Sequence, residues 1–181
     1  MPARRVPSPA VPLLMAGLAF CLYALTGAPG LTWANYGADG GDLLAAAVVN
    51  GAPHPTGYPL YTLLLQGWLA LLGWLAPGAD LAWRGNLFSG LAAAVSVGVT
   101  AYAAQGLAPS GFPRPWAGLL SGLGWAVAPL LWGQALITEV YALHAVLFTS
   151  LGSLLLAARL PTRTRLLALG LVLGLGMAHH L

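Results

Sequence analysis

Charge is what this chain has least of. Only 6% of its 181 residues are Asp, Glu, Lys or Arg, while 59% are hydrophobic. A soluble domain carries roughly a quarter charged residues, so a water-solvated globule is excluded and lipid must supply the rest of the solvent. Lysine is absent: all seven basic residues are arginine, and the net charge is +3. So small and scattered a charge excludes a nucleic-acid surface. The one cysteine, Cys21, lies in an apolar run; it excludes an internal disulfide and reads as packing. No Walker loop, dinucleotide fingerprint, zinc-protease helix or nucleophile elbow is present, so the chemistry those motifs carry has no foothold. Internal repeats and low-complexity tracts are missing too.

What is abundant is apolar sequence in long runs. They cover about 10–28, 58–76, 85–107, 116–133, 140–158 and 166–181. The expected fold is all-α, a polytopic membrane helix bundle forming a single membrane domain over 1–181. The 24 glycines and seven tryptophans suit that class, because small residues let membrane helices approach and Trp anchors interfaces. Arg4 and Arg5 precede the first run much as in a signal peptide, but the later runs favour an uncleaved first helix. The last run has about 16 residues where a span needs about 20. The chain is therefore expected to stop inside a membrane segment, as a piece of a longer protein.

Arginine placement sets the expected topology, since Arg favours the cytoplasmic side. If every run crossed, the cluster Arg159, Arg163 and Arg165 would lie outside. If 58–76 instead lies along the outer face as a juxtamembrane helix, Arg4, Arg5, Arg114 and that cluster all fall inside. Asp39, Asp42, Asp80 and Glu139 then all fall outside. Only Arg84 is misplaced, and Asp80 is available to pair with it. This reading gives five crossings, counting the unfinished last one.

Only these four carboxylates exist, so each can be weighed. Asp39-Gly40-Gly41-Asp42 sets two acids three residues apart at the start of a predicted short helix over 43–50, on one face. They suit a general base or a group orienting a hydroxyl; they equally suit the N-terminus of a helix, whose dipole favours acids. Glu139 sits beside an apolar run, where a carboxylate usually faces a cavity or partner, or again begins a helix. His54 is fixed between Pro53 and Pro55, near the acid pair. His144 follows Tyr141 by about one turn. Asp39, Asp42, His54 and Glu139 lack any metal-ligand spacing. No cofactor is implied, and a divalent cation stays open.

The order of short motifs carries a resemblance. Asp39-Gly40-Gly41-Asp42-Leu43 is followed by His54-Pro55-Thr56-Gly57-Tyr58-Pro59 and by Arg84-Gly85-Asn86-Leu87-Phe88-Ser89. Next come Ala128-Pro129-Leu130-Leu131-Trp132-Gly133-Gln134, Glu139-Val140-Tyr141-Ala142-Leu143-His144 and Gly174-Leu175-Gly176-Met177-Ala178-His179-His180. The series resembles the protein O-mannosyltransferase family of transmembrane protein 260 and, more distantly, the N-terminal module of the GT-C glycosyltransferase superfamily.

That resemblance implies a multi-pass membrane enzyme, in the bacterial inner membrane with its active side extracytoplasmic. Its partners would be a lipid-linked sugar donor and a protein or glycan acceptor, with no nucleic acid. It implies inverting transfer of a sugar, mannose in the named family, from polyprenyl phosphate to a hydroxyl. Asp39 matches the catalytic acid of the first outer loop. Asp42 stands where relatives usually carry Glu, and Thr56 where they often carry Pro. Glu139 matches the acid of a Glu-Val-Tyr motif, with His144 a substrate contact in the same motif. Arg84 or His54 would face the departing phosphate. Tyr58, with Tyr61 and Trp68, would line the prenyl path or anchor the interface. The competing reading is a non-catalytic polytopic protein, such as a transporter fragment, which would place its charges mid-helix.

Overall fold

Leu81–Leu107 is the axis around which the rest of the chain is arranged. The computed structural model describes residues 7–156 and 160–180, and these are helical throughout, with no strand. The helices are α1 (Ala10–Thr26), α2 (Gly40–Val49), α3 (Pro59–Leu75), α4 (Leu81–Leu107), α5 (Arg114–Ala126), α6 (Pro129–Ala135), α7 (Tyr141–Leu156) and α8 (Thr162–His179), with a 3-10 turn at Ala34–Tyr36. Arg4, Arg5 and Arg159, on which part of the topology argument leans, lie outside the described residues.

α4 starts where it does because Asp80 caps it. The Asp80 Oδ1 accepts from the Ala82 N–H at 2.8 Å and the Trp83 N–H at 3.1 Å, satisfying two donors that a helix start leaves open. The helix thus begins four residues before the expected 85 and takes in Arg84. Its buried face is mostly small, with Gly85, Ser89, Gly90, Ala93, Ala94, Ser96, Gly98 and Ala101 beside the larger Asn86, Phe88, Val97 and Gln105. α1, α5 and α7 pack against it. A Cβ at Gly98 would lie 3.2 Å from the Ala16 Cβ and from the Pro12 carbonyl oxygen, so only glycine admits α1 this closely. Hydrogen bonds tie the same contacts. Tyr23 Oη donates to the Ala126 carbonyl at 2.8 Å, and Trp125 Nε1 donates to Ser96 Oγ at 3.0 Å.

The large apolar side chains face the other way. Leu13, Leu18, Leu25, Leu120, Leu123, Phe148, Leu155, Leu167 and Leu171 are all exposed. Many large apolar side chains are thus exposed, while small residues on α4 let its neighbours' backbones approach closely. Among the described residues α4 alone is long and apolar enough to cross a membrane. The α5–α6 pair is a second if its two arms are counted together.

That pair differs from the single run expected over 116–133: it is bent by 65°. The cause is Pro129. It disfavours helical backbone at the preceding residue, and Ala128 is extended with ψ 123°. α8 begins at Thr162 rather than 166, directly after Pro161, and ends at His179.

The two ends of the bundle carry different chemistry. Asp39, Asp42, Asp80 and Glu139 all belong to the end where α4 starts; Arg114, Arg163 and Arg165 open α5 and α8 at the opposite end. α3 stays with the acidic end. Tyr61 and Trp68 both meet Phe88, Trp68 Nε1 donates to the Arg84 carbonyl at 2.8 Å, and Gly73 lies beside the Arg84 guanidinium. These contacts pair about 18 Å of α3 with about 6 Å of α4. α3 therefore crosses the top of α4 instead of running alongside it.

Candidate active site

Two loops and the starts of α2 and α3 build the site. Asp39 is the residue before α2 and Asp42 lies in its first turn. The segment 51–58 returns from α2 to α3, and Tyr58, in a left-handed conformation with φ 43°, turns the chain into Pro59. Pro is suited to this first helical position because its missing N–H would be unpaired there anyway.

His54 joins the acids. Asp42 Oδ2 accepts from the His54 backbone N–H at 2.8 Å and lies 2.8 Å from His54 Nδ1. The other ring nitrogen, Nε2, is 3.3 Å from Tyr58 Oη and 3.7 Å from Asp39 Oδ2. The His54 and Tyr58 rings meet edge to face at 5.3 Å. The two bonds from His54, backbone first, hold the Asp42 carboxyl below its ordinary value. Burial, followed by the charges of Tyr141, Asp39 and Glu139, pushes the Tyr58 hydroxyl up. Asp39 and Asp42 each keep about half their side chains open to solvent, at 47% and 49%, so both can meet an incoming group.

Glu139 is the buried counterpart, 1% exposed. It lies between α6 and α7, and its Oε1 accepts from the Asp39 backbone N–H at 3.2 Å. Its Oε2 has no hydrogen-bond partner among the described residues. Burial, the largest influence, raises its pKa, and the Asp39 charge acts the same way; the bond from the Asp39 N–H opposes them in part. The site thus holds two open carboxylates and one buried carboxyl whose pKa burial raises.

His144 is exposed on α7, and its ring centroid lies 5.9 Å from that of His179. It lines an apolar cleft of about 580 Å³ together with Tyr36, Gln134, Tyr141 and Phe148. Tyr141, on its wall, follows Glu139 by two residues. Tyr61 does not face such a path: it is fully buried against Phe88 and His179. Trp68 is held by the Arg84 carbonyl. The cleft that His144 lines is on the α6–α7 side instead.

Arg84 does not join the cluster. Its Nη2 donates to the Pro77 and Ala79 carbonyls at 2.9 and 2.7 Å, near the C-terminal end of α3. That is about 22 Å of helix from Tyr58. The expected Asp80 pairing is also absent, because Asp80 is engaged by the N–H groups that start α4. Among the described residues no three His, Cys, Asp or Glu side chains converge to hold a metal ion.

Three residues missed in the sequence hold the loops together. Thr138 Oγ1 donates to Asn86 Oδ1 at 2.8 Å, Asn86 Nδ2 reaches the Ala28 and Gly30 carbonyls, and Ser89 exchanges bonds with the Glu139 backbone. Asn86 and Ser89 are polar residues three apart in an apolar helix, a spacing that puts them on one face and could have marked them. His180, edge-on to Tyr58 at 5.3 Å, also reaches the site from the far end of the chain.

A family profile, the protein O-mannosyl-transferase TMEM260 N-terminal domain, matches residues 39–181. The chain belongs to this family. Asp39, Asp42, His54, Tyr58 and Glu139 all lie inside the matched stretch, which opens on Asp39. Among relatives, the mouse protein O-mannosyl-transferase TMEM260 is 33% identical over 108 residues, 60% of this chain. The protein O-mannosyl-transferase tmem260 of Dictyostelium discoideum is 29% identical over 128 residues, 68% of this chain. In each case the match covers 14% of the relative's length. No solved structure matches this chain.

Proposed function

We propose that this chain carries the catalytic face of a membrane glycosyltransferase. It transfers mannose from a polyprenyl-phosphate carrier to a protein hydroxyl on the extracytoplasmic side. The observation that carries this reading is the meeting of Asp39, Asp42, His54, Tyr58 and Glu139, from three separate segments, at one end of a chain of the TMEM260 N-terminal domain family. Both relatives are named protein O-mannosyl-transferases.

In this mechanism the acceptor oxygen attacks the anomeric carbon. Asp39, open to solvent, takes the hydroxyl proton. As the new C–O bond forms, the bond from the anomeric carbon to the phosphate oxygen breaks, and prenyl phosphate leaves with the electron pair. Asp42 holds the His54 ring so that Nε2 faces Asp39 and Tyr58, where Tyr58 and, in its imidazolium form, His54 can donate to the departing phosphate. Arg84 is too distant and too engaged for that role. Glu139 accepts from the Asp39 backbone and fixes the base. The cleft lined by Tyr36, Tyr141, His144 and Phe148 offers an apolar path for the prenyl chain.

The gathering of the four carboxylates at one end and of Arg114, Arg163 and Arg165 at the other, with Arg84 the exception, supports an extracytoplasmic site. The crossing of α3 over the top of α4 supports its juxtamembrane placement within a polytopic bundle. The test is transfer by the purified full-length protein, offered labelled mannose on polyprenyl phosphate or on a nucleotide. Product from the lipid-linked donor alone is expected. Product from the nucleotide sugar in the absence of lipid would overturn the donor assignment. For sidedness, cysteines at Asp80 and Arg114 should label from the extracytoplasmic and cytoplasmic sides respectively; the reverse pattern contradicts the topology.

A further inference from the structure

Asn86 is a strongly polar side chain placed one turn inside the central apolar helix, and it is only 5% exposed. Burying an amide is costly unless its groups are paired. Here they are paired, and none of the bonds is made to its own helix. Nδ2 donates to the Ala28 carbonyl at 2.8 Å and the Gly30 carbonyl at 3.2 Å. Oδ1 accepts from Thr138 Oγ1 at 2.8 Å. The first two partners begin the loop that carries Asp39. The third is the residue before Glu139.

Ser89 lies one turn further along the same face. Its Oγ accepts from the Glu139 N–H and donates to the Glu139 carbonyl, both at 3.3 Å. The loops also touch each other: the Ala28 N–H donates to the Leu136 carbonyl at 3.0 Å, and Gln134 Nε2 to the Asn35 carbonyl at 3.0 Å. The two loops meet functionally at one bond, from the Asp39 N–H to Glu139 Oε1. The rigid helix therefore sets the register of both loops, and through it the place of the Asp39 carboxylate.

We propose that Asn86, acting with Thr138, is a positioning residue of the active site: it clamps the Asp39 loop to the Glu139 loop. The inference rests on the proposed transferase reading for its catalytic consequence, and on this chain's own geometry for the clamp. Neither residue touches substrate in this account. Loss of the clamp lets the two loops, and with them the Tyr36 and Tyr141 walls of the cleft, shift against each other, so Asp39 wanders and turnover falls further than donor affinity. A misplacement of about 1 Å costs about a hundredfold in rate.

The test uses the full-length protein with Cys21→Ser and spin labels at Tyr36→Cys and Tyr141→Cys, one on each side of the cleft. Asn86→Leu and Thr138→Val should broaden the inter-label distance distribution. In the unlabelled protein they should lower kcat about tenfold or more, a larger factor than any rise in KM. Thr138→Ser, which keeps the hydroxyl, should restore both. An unchanged distance distribution, or a raised KM at constant kcat, overturns the proposal. If Asn86→Leu does not fold, the Thr138→Val and Thr138→Ser pair decides. If the wild-type protein transfers no mannose, the proposed function fails, while the label distances still decide the clamp.

Discussion

Replacing Gly85 with alanine should destabilise the protein, although alanine is the better helix former. In a helix interior the change from Gly to Ala favours folding by about 0.5–1 kcal/mol. At Gly85 the new Cβ would lie 2.5 Å from Thr138 Oγ1, 2.7 Å from Leu44 Cδ2 and 3.3 Å from Thr138 Cγ2. Leu44 is 3% exposed and Thr138 2% exposed, so neither has free space to retreat into. Overpacking of this kind costs about 1–3 kcal/mol. Displacing Thr138 also loses its bond to Asn86, a further 1 kcal/mol or so. The sum is a net loss of about 1–3 kcal/mol. Gly67 on α3 supplies the control, because nothing lies within 4 Å of the Cβ it would gain. There the propensity gain stands alone and the protein should be slightly stabilised. Thermal unfolding in detergent micelles, followed by tryptophan fluorescence, reads both. A melting temperature for Gly85→Ala at or above wild type would refute the packing argument, and a drop for Gly67→Ala would refute the control.

Glu139→Gln should stabilise the protein more at neutral pH than at acidic pH. A carboxyl whose folded pKa is raised is destabilising once it ionises, so stability falls as pH rises from the unfolded value, near 4.5, through the raised folded value. The glutamine variant should lose that slope; equal shifts in melting temperature at pH 4 and pH 7 would contradict it. His54→Ala removes the ring donor to Asp42 but keeps the backbone N–H that holds it low first of all, so the Asp42 carboxyl should titrate higher than in wild type by carbon NMR yet stay below its ordinary value, and an unmoved titration would contradict the ring pairing. Arg84→Met frees the Pro77 and Ala79 carbonyls, and should lower the melting temperature while leaving mannose transfer near wild type; a selective loss of transfer would return Arg84 to the site.

Much of the molecule was legible because hydrophobic runs and punctuation are local signals. Pro77-Gly78, Pro109 and Pro161 mark helix boundaries on the chain itself, and the all-helical reading follows from the runs between them. Asp39, Asp42, His54, Tyr58 and Glu139 could be singled out because polar groups are so few. Arg84 was misread because arginine placement tells which end of a bundle a residue occupies, not how far it lies from another residue at that end. The 65° bend between α5 and α6 follows from Pro129, whose effect an apolar run of constant composition conceals. The loop clamp was not legible at all. It needs residues 28–30, 86, 89 and 138–139 to meet in space, and no local spacing encodes a meeting across 50 or more residues. His180 reached Tyr58 for the same reason.

The central claim is that Asp39 is the base of a mannosyl transfer, with Asp42 acting through His54. The most direct measurement is kcat of full-length Asp39→Asn beside Asp42→Asn, with polyprenyl-phosphate mannose and a peptide acceptor. Asn at position 39 keeps the shape and the backbone bond to Glu139 but cannot take a proton. The account predicts that Asp39→Asn loses a factor of about 10²–10⁴ in kcat with donor affinity unchanged, and that Asp42→Asn loses less. Wild-type turnover in Asp39→Asn would contradict it.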